Sequence, residues 1–302
     1  MRRRTKILLG MSAALVISVT ALAIWIVTAL PESYQRQRDD YASSAATSSA
    51  LNAIVDDGEH LHYAFRWRDS VIGTGDSVVQ ALMDAPDALQ LELRVQTLPG
   101  MIATLYPVNS TYRSRVARDD GRSLHYLRDR DEGGKRKKDS YTFDHAAGTI
   151  TRTRYDFPAD GGEHAREPVT TAMPQACHDP VAILFHLRHL PLAAGSTHDL
   201  PLLDKRGLGV LTIHCIEATE VTLPQLGNFS AWRLQLTVAI PSSSGSDELT
   251  VTEAGEQFEV WVDQASGTVL RATASGIPVL GSVHCELVHG DHARLAGTHS
   301  SE

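Results

Sequence analysis

From His60 to Asp69 the chain reads HLHYAFRWRD, and large apolar side chains alternate there with polar ones at a period of two. That period puts Leu61, Tyr63, Phe65 and Trp67 on one face of an extended strand and His60, His62, Ala64, Arg66 and Arg68 on the other. Leu89, Leu91, Leu93 and Val95 alternate in the same way with Gln90, Glu92, Arg94 and Gln96. Strands with one apolar and one wet face belong to antiparallel sheets, because parallel sheets are covered on both sides.

The pattern continues along the chain. Strand-like stretches fall at 109–118, 122–129, 138–145 and 149–157, and then at Gly209–Ile216, Thr219–Leu223, Phe229–Ile240, Gln257–Asp263, Val269–Ala274 and Gly281–Val288. Turn material separates them, including Asp119-Asp120-Gly121, Asp144–Gly148 and Gln264-Ala265-Ser266-Gly267. Met101–Tyr106 has room for one or two helical turns. A true helix is expected over Asp179–Gly195, with Asp179 as N-cap, Pro180 at the first helical position, and Pro191 and Gly195 as stops. Ile183, Leu184, Leu187 and Leu190 would form its apolar side, with Val181 and Phe185 at the edge. These features predict a mainly β fold, a large curved antiparallel sheet or half-open barrel of about a dozen strands packed around one principal helix.

The N-terminus is of another kind. MRRRTK precedes an uncharged apolar run from Ile7 to Leu30, long enough at about 1.5 Å per residue to cross a hydrocarbon core of about 30 Å. Residues 1–30 are therefore expected to form an N-terminal transmembrane helix, a retained anchor with its N-terminus in the cytoplasm, because Arg2, Arg3, Arg4 and Lys6 all precede the run. The alternative is a signal peptide cut after Val27-Thr28-Ala29. Residues 31–58, rich in Ser and Ala, read as a tether, residues 59–289 as a β-rich periplasmic domain and 290–302 as a tail.

Charge narrows the partners. The chain carries −8 overall, and without the four leader cations the exported part stands near −12, a poor surface for nucleic acid. The cationic run Lys135–Lys138 follows Glu132-Gly133-Gly134, so it reads as a solvated hairpin end. Of the three cysteines, Cys215 and Cys285 would each share a face with aliphatic neighbours. An oxidising compartment permits one disulfide, and Cys215–Cys285 is the expected pair if their strands are neighbours.

Four segments in order, HLHYAFRWRDSVIGTG, LPGMIATLYPVNSTYRSRV, DPVAILFHLRHLPLAAG and FEVWVDQASGTVLRATASGIPVLGSVHCEL, resemble a family of exported bacterial proteins known as domain of unknown function 3108. The resemblance covers about residues 59–289. It implies a β-rich fold, somewhat like the half-open barrels of periplasmic lipoprotein and lipid carriers, and no established activity or catalytic positions. The chain departs from the family in its anchor and in a polar insertion from Pro241 to Gln257. An anchored protein would not diffuse as a free carrier does.

Candidate chemistry is sparse. His60 and His62 share a strand face and could hold two positions on a metal, but spacing supplies no third ligand. His186 and His189 are again only a pair, and His289 and His292 fall at the tail. No Gly-x-Ser-x-Gly elbow, Ser-x-x-Lys or His-Glu-x-x-His motif is present, and neither is a phosphate loop nor a dinucleotide fingerprint. Each cysteine has a histidine neighbour, but adjacent strand residues point to opposite faces, which keeps His214 from Cys215 and His284 from Cys285.

The expectation is therefore a protein that is not an enzyme, with no metal and no cofactor. It would use Leu61, Tyr63, Phe65, Trp67, Leu91, Leu93 and Trp261 to line a site for an apolar ligand or, in plain structural terms, a core. The expected partners are the membrane, through residues 7–30, and a lipid or an envelope protein. The alternatives are a structural envelope protein with a solid barrel and, more distantly, a metal-dependent hydrolase using His60 and His62.

Overall fold

The structure is a computed structural model that describes residues 58–158, 161–173, 176–204, 207–241, 249–251, 257–277 and 281–290. The expected anchor, tether, tail and most of the polar insertion lie outside the described residues. Among the described residues, no helix is long and apolar enough to cross a membrane.

The first half is a meander of β1 (His60–Trp67), β2 (Ser70–Leu82), β3 (Ala85–Thr97), β4 (Val108–Ala117), β5 (Ser123–Glu132), β6 (Lys135–Asp144) and β7 (Thr149–Asp156). A one-turn helix, α1 (Met101–Leu105), interrupts it between β3 and β4, and the short β8 (His164–Ala165) and β9 (Val169–Ala172) end it. The principal helix, α2 (Pro180–His186), continues as a 3-10 turn, Leu187–His189. The second half comprises β10 (Thr197–Asp204), β11 (Gly207–Leu223), β12 (Gly227–Pro241), β13 (Leu249–Val251), β14 (Gln257–Asp263), β15 (Val269–Ile277) and β16 (Gly281–Gly290).

All the strands belong to one antiparallel sheet, ordered β10-β11-β12-β14-β15-β16-β1-β2-β3-β4-β5-β6-β7-β8, with β13 on β12 and β9 on β7. The two meanders are joined in the middle, where β1 pairs with β16 and places Phe65 opposite Cys285. Val283, Cys285 and Leu287 then continue the apolar face of β1, and all three are buried.

Bulges adjust the alternation. The expected break between Gly209–Ile216 and Thr219–Leu223 is a bulge within one strand, since Cys215 and Glu217 pair with consecutive residues of β12 and Ile216 is left over. At Gln264–Gly267 the expected hairpin turn is present. Gly267 holds φ +69°, and a Cβ there would lie 2.6 Å from Cα of Arg188, so the turn presses directly on the helical segment.

The helix is shorter than the expected Asp179–Gly195. Pro191 disfavours helical geometry at the residue before it, and Leu190 accordingly turns to φ −71°, ψ 137°. Ala182, Ile183 and Leu187 are fully buried. The helix packs on β3, β4 and β10, inside the curve of the sheet. The cationic run Lys135–Lys138 does form a hairpin end, where Arg136 pairs with Asp129 at 2.8 Å and Lys138 with Glu163 at 2.6 Å.

Candidate apolar cavity beneath the helix

Both ends of the helical segment are tied to the sheet by buried polar groups. At its start, Oδ1 of Asp179 accepts hydrogen bonds from the backbone N–H groups of Val181 (2.9 Å) and Ala182 (3.0 Å). Its Oδ2 accepts from the hydroxyls of Ser114 on β4 (2.5 Å) and Ser123 on β5 (2.6 Å). Burial raises the Asp179 carboxyl above its ordinary value, and the four donors oppose that shift. All four donors converge on its two oxygens, so Asp179 serves both as the helix cap and as the link from the helix to β4 and β5.

At the other end, Arg188 donates to both carboxylate oxygens of Glu59, at 2.8 and 2.6 Å. Glu59 precedes β1, so the pair clamps the end of the helix to the start of the sheet. It is almost wholly removed from water, with the Arg188 side chain 7% exposed and that of Glu59 1%.

Between these anchors lies a cavity of about 80 Å³. The sheet side is formed by Leu61, Tyr63, Phe65, Leu91 and Leu93, with Phe258 and Val260 from β14 and Cys285 from β16. Val181, Leu184, Phe185 and Arg188 cover it from the helix. The Tyr63 hydroxyl donates to the carbonyl of Val269 at 3.1 Å, and burial raises its pKa far above the phenol range. The cavity is thus an apolar, partly open pocket with one guanidinium in its lining, and among the described residues it contains no nucleophile paired with a base.

Five of the seven residues expected to line a site converge here. Trp67 and Trp261 do not. Trp67 ends β1, where the Arg68 guanidinium lies 4.8 Å from its ring, and it does not line the cavity. Trp261 is on the opposite face of the sheet: Phe258, Val260 and Val262 point inward, so the period of two sends Trp261 outward with Glu259, beside Arg233. Arg188 and Glu59 escaped the sequence reading. A cation within the apolar helix was the available signal for Arg188, but its partner lies 129 residues away in the chain.

The expected Cys215–Cys285 disulfide is also absent. All three cysteines are free and buried, and β12, β14 and β15 separate β11 from β16 in the sheet. Burial raises the Cys177, Cys215 and Cys285 thiols above their ordinary value, which makes them unreactive.

On the outer face, His60 and His62 both contact Oδ1 of Asp76, at 3.2 and 2.8 Å. Partial burial of Asp76 works against its charge, but the hydrogen bonds from His62 and His60 outweigh it and hold the carboxyl below its ordinary value. Among the described residues no group of three or more His, Cys, Asp or Glu side chains is arranged to hold a metal. His186 instead lies against His178, with ring centroids 4.5 Å apart and the rings tilted by 40°. Burial lowers the pKa of His178 to about 3 and that of His186 to about 4.

The fold has a counterpart among solved structures. A β-barrel-like protein of domain of unknown function DUF1849 from Brucella abortus matches with a TM-score of 0.51 at 11% identity, covering 79% of this chain and 99% of that one. A protein described as exported, with a YmcC-like fold, from Bacteroides fragilis covers 78% of this chain and 97% of its own at 10% identity, with a TM-score of only 0.31. The Brucella protein supports the barrel-like architecture, and the second match is too distant in shape to carry an argument. No curated protein matches the chain. The family described as protein of unknown function DUF3108 matches residues 59–288, almost the whole β-rich body, and the chain belongs to that family.

Proposed function

We propose that this is a non-catalytic cell-envelope protein whose β-rich domain holds an apolar ligand, such as an acyl chain, beneath α2. The single observation that carries this reading is the partly open apolar cavity between the inner face of β1 and β3 and the helix. In this reading residues 7–30 anchor the protein in a bacterial inner membrane, with the N-terminus cytoplasmic and the domain in the periplasm; the alternative is release after cleavage of the leader.

The volume sets a condition. An engineered apolar cavity of about 150 Å³ holds benzene, so about 80 Å³ admits only the end of a chain while the helix stays down. Burying more of the ligand than its end requires α2 to move outward. With seven residues it is a short element to displace. The same small volume favours the second reading, a structural envelope protein with a solid core.

Native mass spectrometry of the purified protein, followed by lipid extraction, separates the two. Copurified lipid, or uptake of a fluorescent fatty acid weakened by Leu184→Asp, supports the ligand reading. Protein recovered empty, with no uptake, leaves the structural reading.

A further inference from the structure

The sheet does not close where β7 and its short partners β8 and β9 face β10 and β11. A cleft of about 340 Å³ opens there, in the size range of small-molecule sites. One wall carries the guanidinium groups of Arg152, Arg154 and Arg166. The other supplies Leu203 and Leu208, and Ile150, Val169 and the Tyr141 ring complete an apolar floor and rim. Val169 is 61% exposed, unusual for a branched aliphatic side chain.

The charges around this cleft do not balance. Asp139 is buried and is the shared carboxylate of three arginines. Arg128 donates to its Oδ2 at 3.0 Å, Arg152 to its Oδ1 at 2.9 and 2.6 Å, and Arg154 approaches at 3.6 Å, too far for a hydrogen bond. Arg166 is matched by Asp156 at 2.6 Å, and Glu167 is the one carboxylate among the described residues that line the cleft. Arg130, on the same inner face of β5 as Arg128, does not line the cleft and acts with Glu132 on Tyr106 and Tyr112. Guanidinium groups in this density, beside an aromatic ring and aliphatic side chains, are suited to an oxyanion carried on an apolar body.

We propose that the cleft between the β7–β9 edge and the β10–β11 edge is a second binding site, which takes an amphiphilic organic anion. Its carboxylate or phosphate sits against Arg152 and Arg154, and its apolar part lies along Val169, Leu203 and Leu208. This site is separate from the cavity beneath α2 and does not depend on it.

Photo-crosslinking on the full chain in lipid nanodiscs tests this, with diazirine-bearing decyl phosphate, diazirine-bearing decanoate and, as a neutral control, diazirine-bearing decanol. Labelled peptides are mapped by mass spectrometry. At least one anionic probe is expected to label residues 149–156 or 203–211 at least tenfold more than decanol does, and the stronger of the two identifies the headgroup. Arg154→Gln is expected to cut that labelling by a similar factor. Arg154 is half exposed, approaches Asp139 at 3.6 Å and lies near Asp156 without a hydrogen bond to either, so the variant retains the fold, which its melting temperature verifies. Arg166→Gln provides a second variant on the same wall. Equal labelling by decanol, or labelling unchanged in both variants, overturns the proposal. If inorganic phosphate competes as well as unlabelled decyl phosphate, the apolar wall contributes nothing and the amphiphile is likewise overturned.

Discussion

Arg188 and Glu59 form a two-pronged ion pair, at 2.8 and 2.6 Å, that joins the end of the helical segment to the residue preceding β1. Removing one partner from such a pair strands a buried charge at a cost of about 3–5 kcal/mol, whereas replacing both with apolar groups is often neutral. Glu59→Gln is therefore expected to lower unfolding stability by about 3 kcal/mol. Adding Arg188→Met to it should recover most of that loss in urea titrations. If the double variant is as unstable as the single, the pair contributes more than charge compensation.

Asp179 combines a helix cap with two serine hydrogen bonds. Asp179→Ala removes all four acceptor contacts and leaves the hydroxyl hydrogens of Ser114 and Ser123 without their acceptor, although Ser123 Oγ keeps the backbone N–H of residue 179, for a loss of about 2 kcal/mol. Asp179→Asn keeps a capping oxygen but puts an amide N–H₂ opposite two hydroxyls, and should fall between Ala and the native residue. Equal stability of Asn and Ala would mean that the serine contacts dominate over the cap.

Gly267 is constrained twice, by φ +69° and by Cα of Arg188 at 2.6 Å from the place of a Cβ. Gly267→Ala adds left-handed strain of about 1–2 kcal/mol to overpacking of about 1–3 kcal/mol, so thermal unfolding should shift down markedly. Gly134, with φ +72° and open space around it, is the control: Gly134→Ala incurs the strain without the clash. Indistinguishable melting of the two variants would contradict the close approach.

Acid sensitivity should begin at the histidine pair. Burial lowers the pKa of His178 to about 3 and of His186 to about 4, while the unfolded chain titrates near 6.5. Between those values the unfolded state binds more protons, so stability is complete above pH about 6.5 and falls as pH drops toward 4. The slope is at most about 1.4 kcal/mol per pH unit for each histidine. Asp179, raised by burial, acts in the opposite direction, so the informative quantity is the difference between the native protein and His178→Phe in melting temperature from pH 7 to 5. The variant should flatten the profile. Parallel profiles would show that His178 does not contribute.

Local patterns carried the fold class. The two-residue period, the Asp179-Pro180 helix start and the Gln264–Gly267 turn are each written within a few residues, because propensity, capping and turn geometry act at short range. The apolar row Leu61, Tyr63, Phe65 and the pair Leu91 and Leu93 were legible for the same reason, and they meet at the cavity. The period also contained the correct position of Trp261, since Val260 and Val262 claim the inward face.

Tertiary structure decided everything that depends on which strand meets which. The β1–β16 pairing, the separation of Cys215 from Cys285 and the Arg188–Glu59 clamp all concern residues remote in the chain. Alternation assigns a side chain to a face but does not choose its neighbour across the sheet. That choice follows from the global burial of apolar surface, and with it the cavity and the cleft.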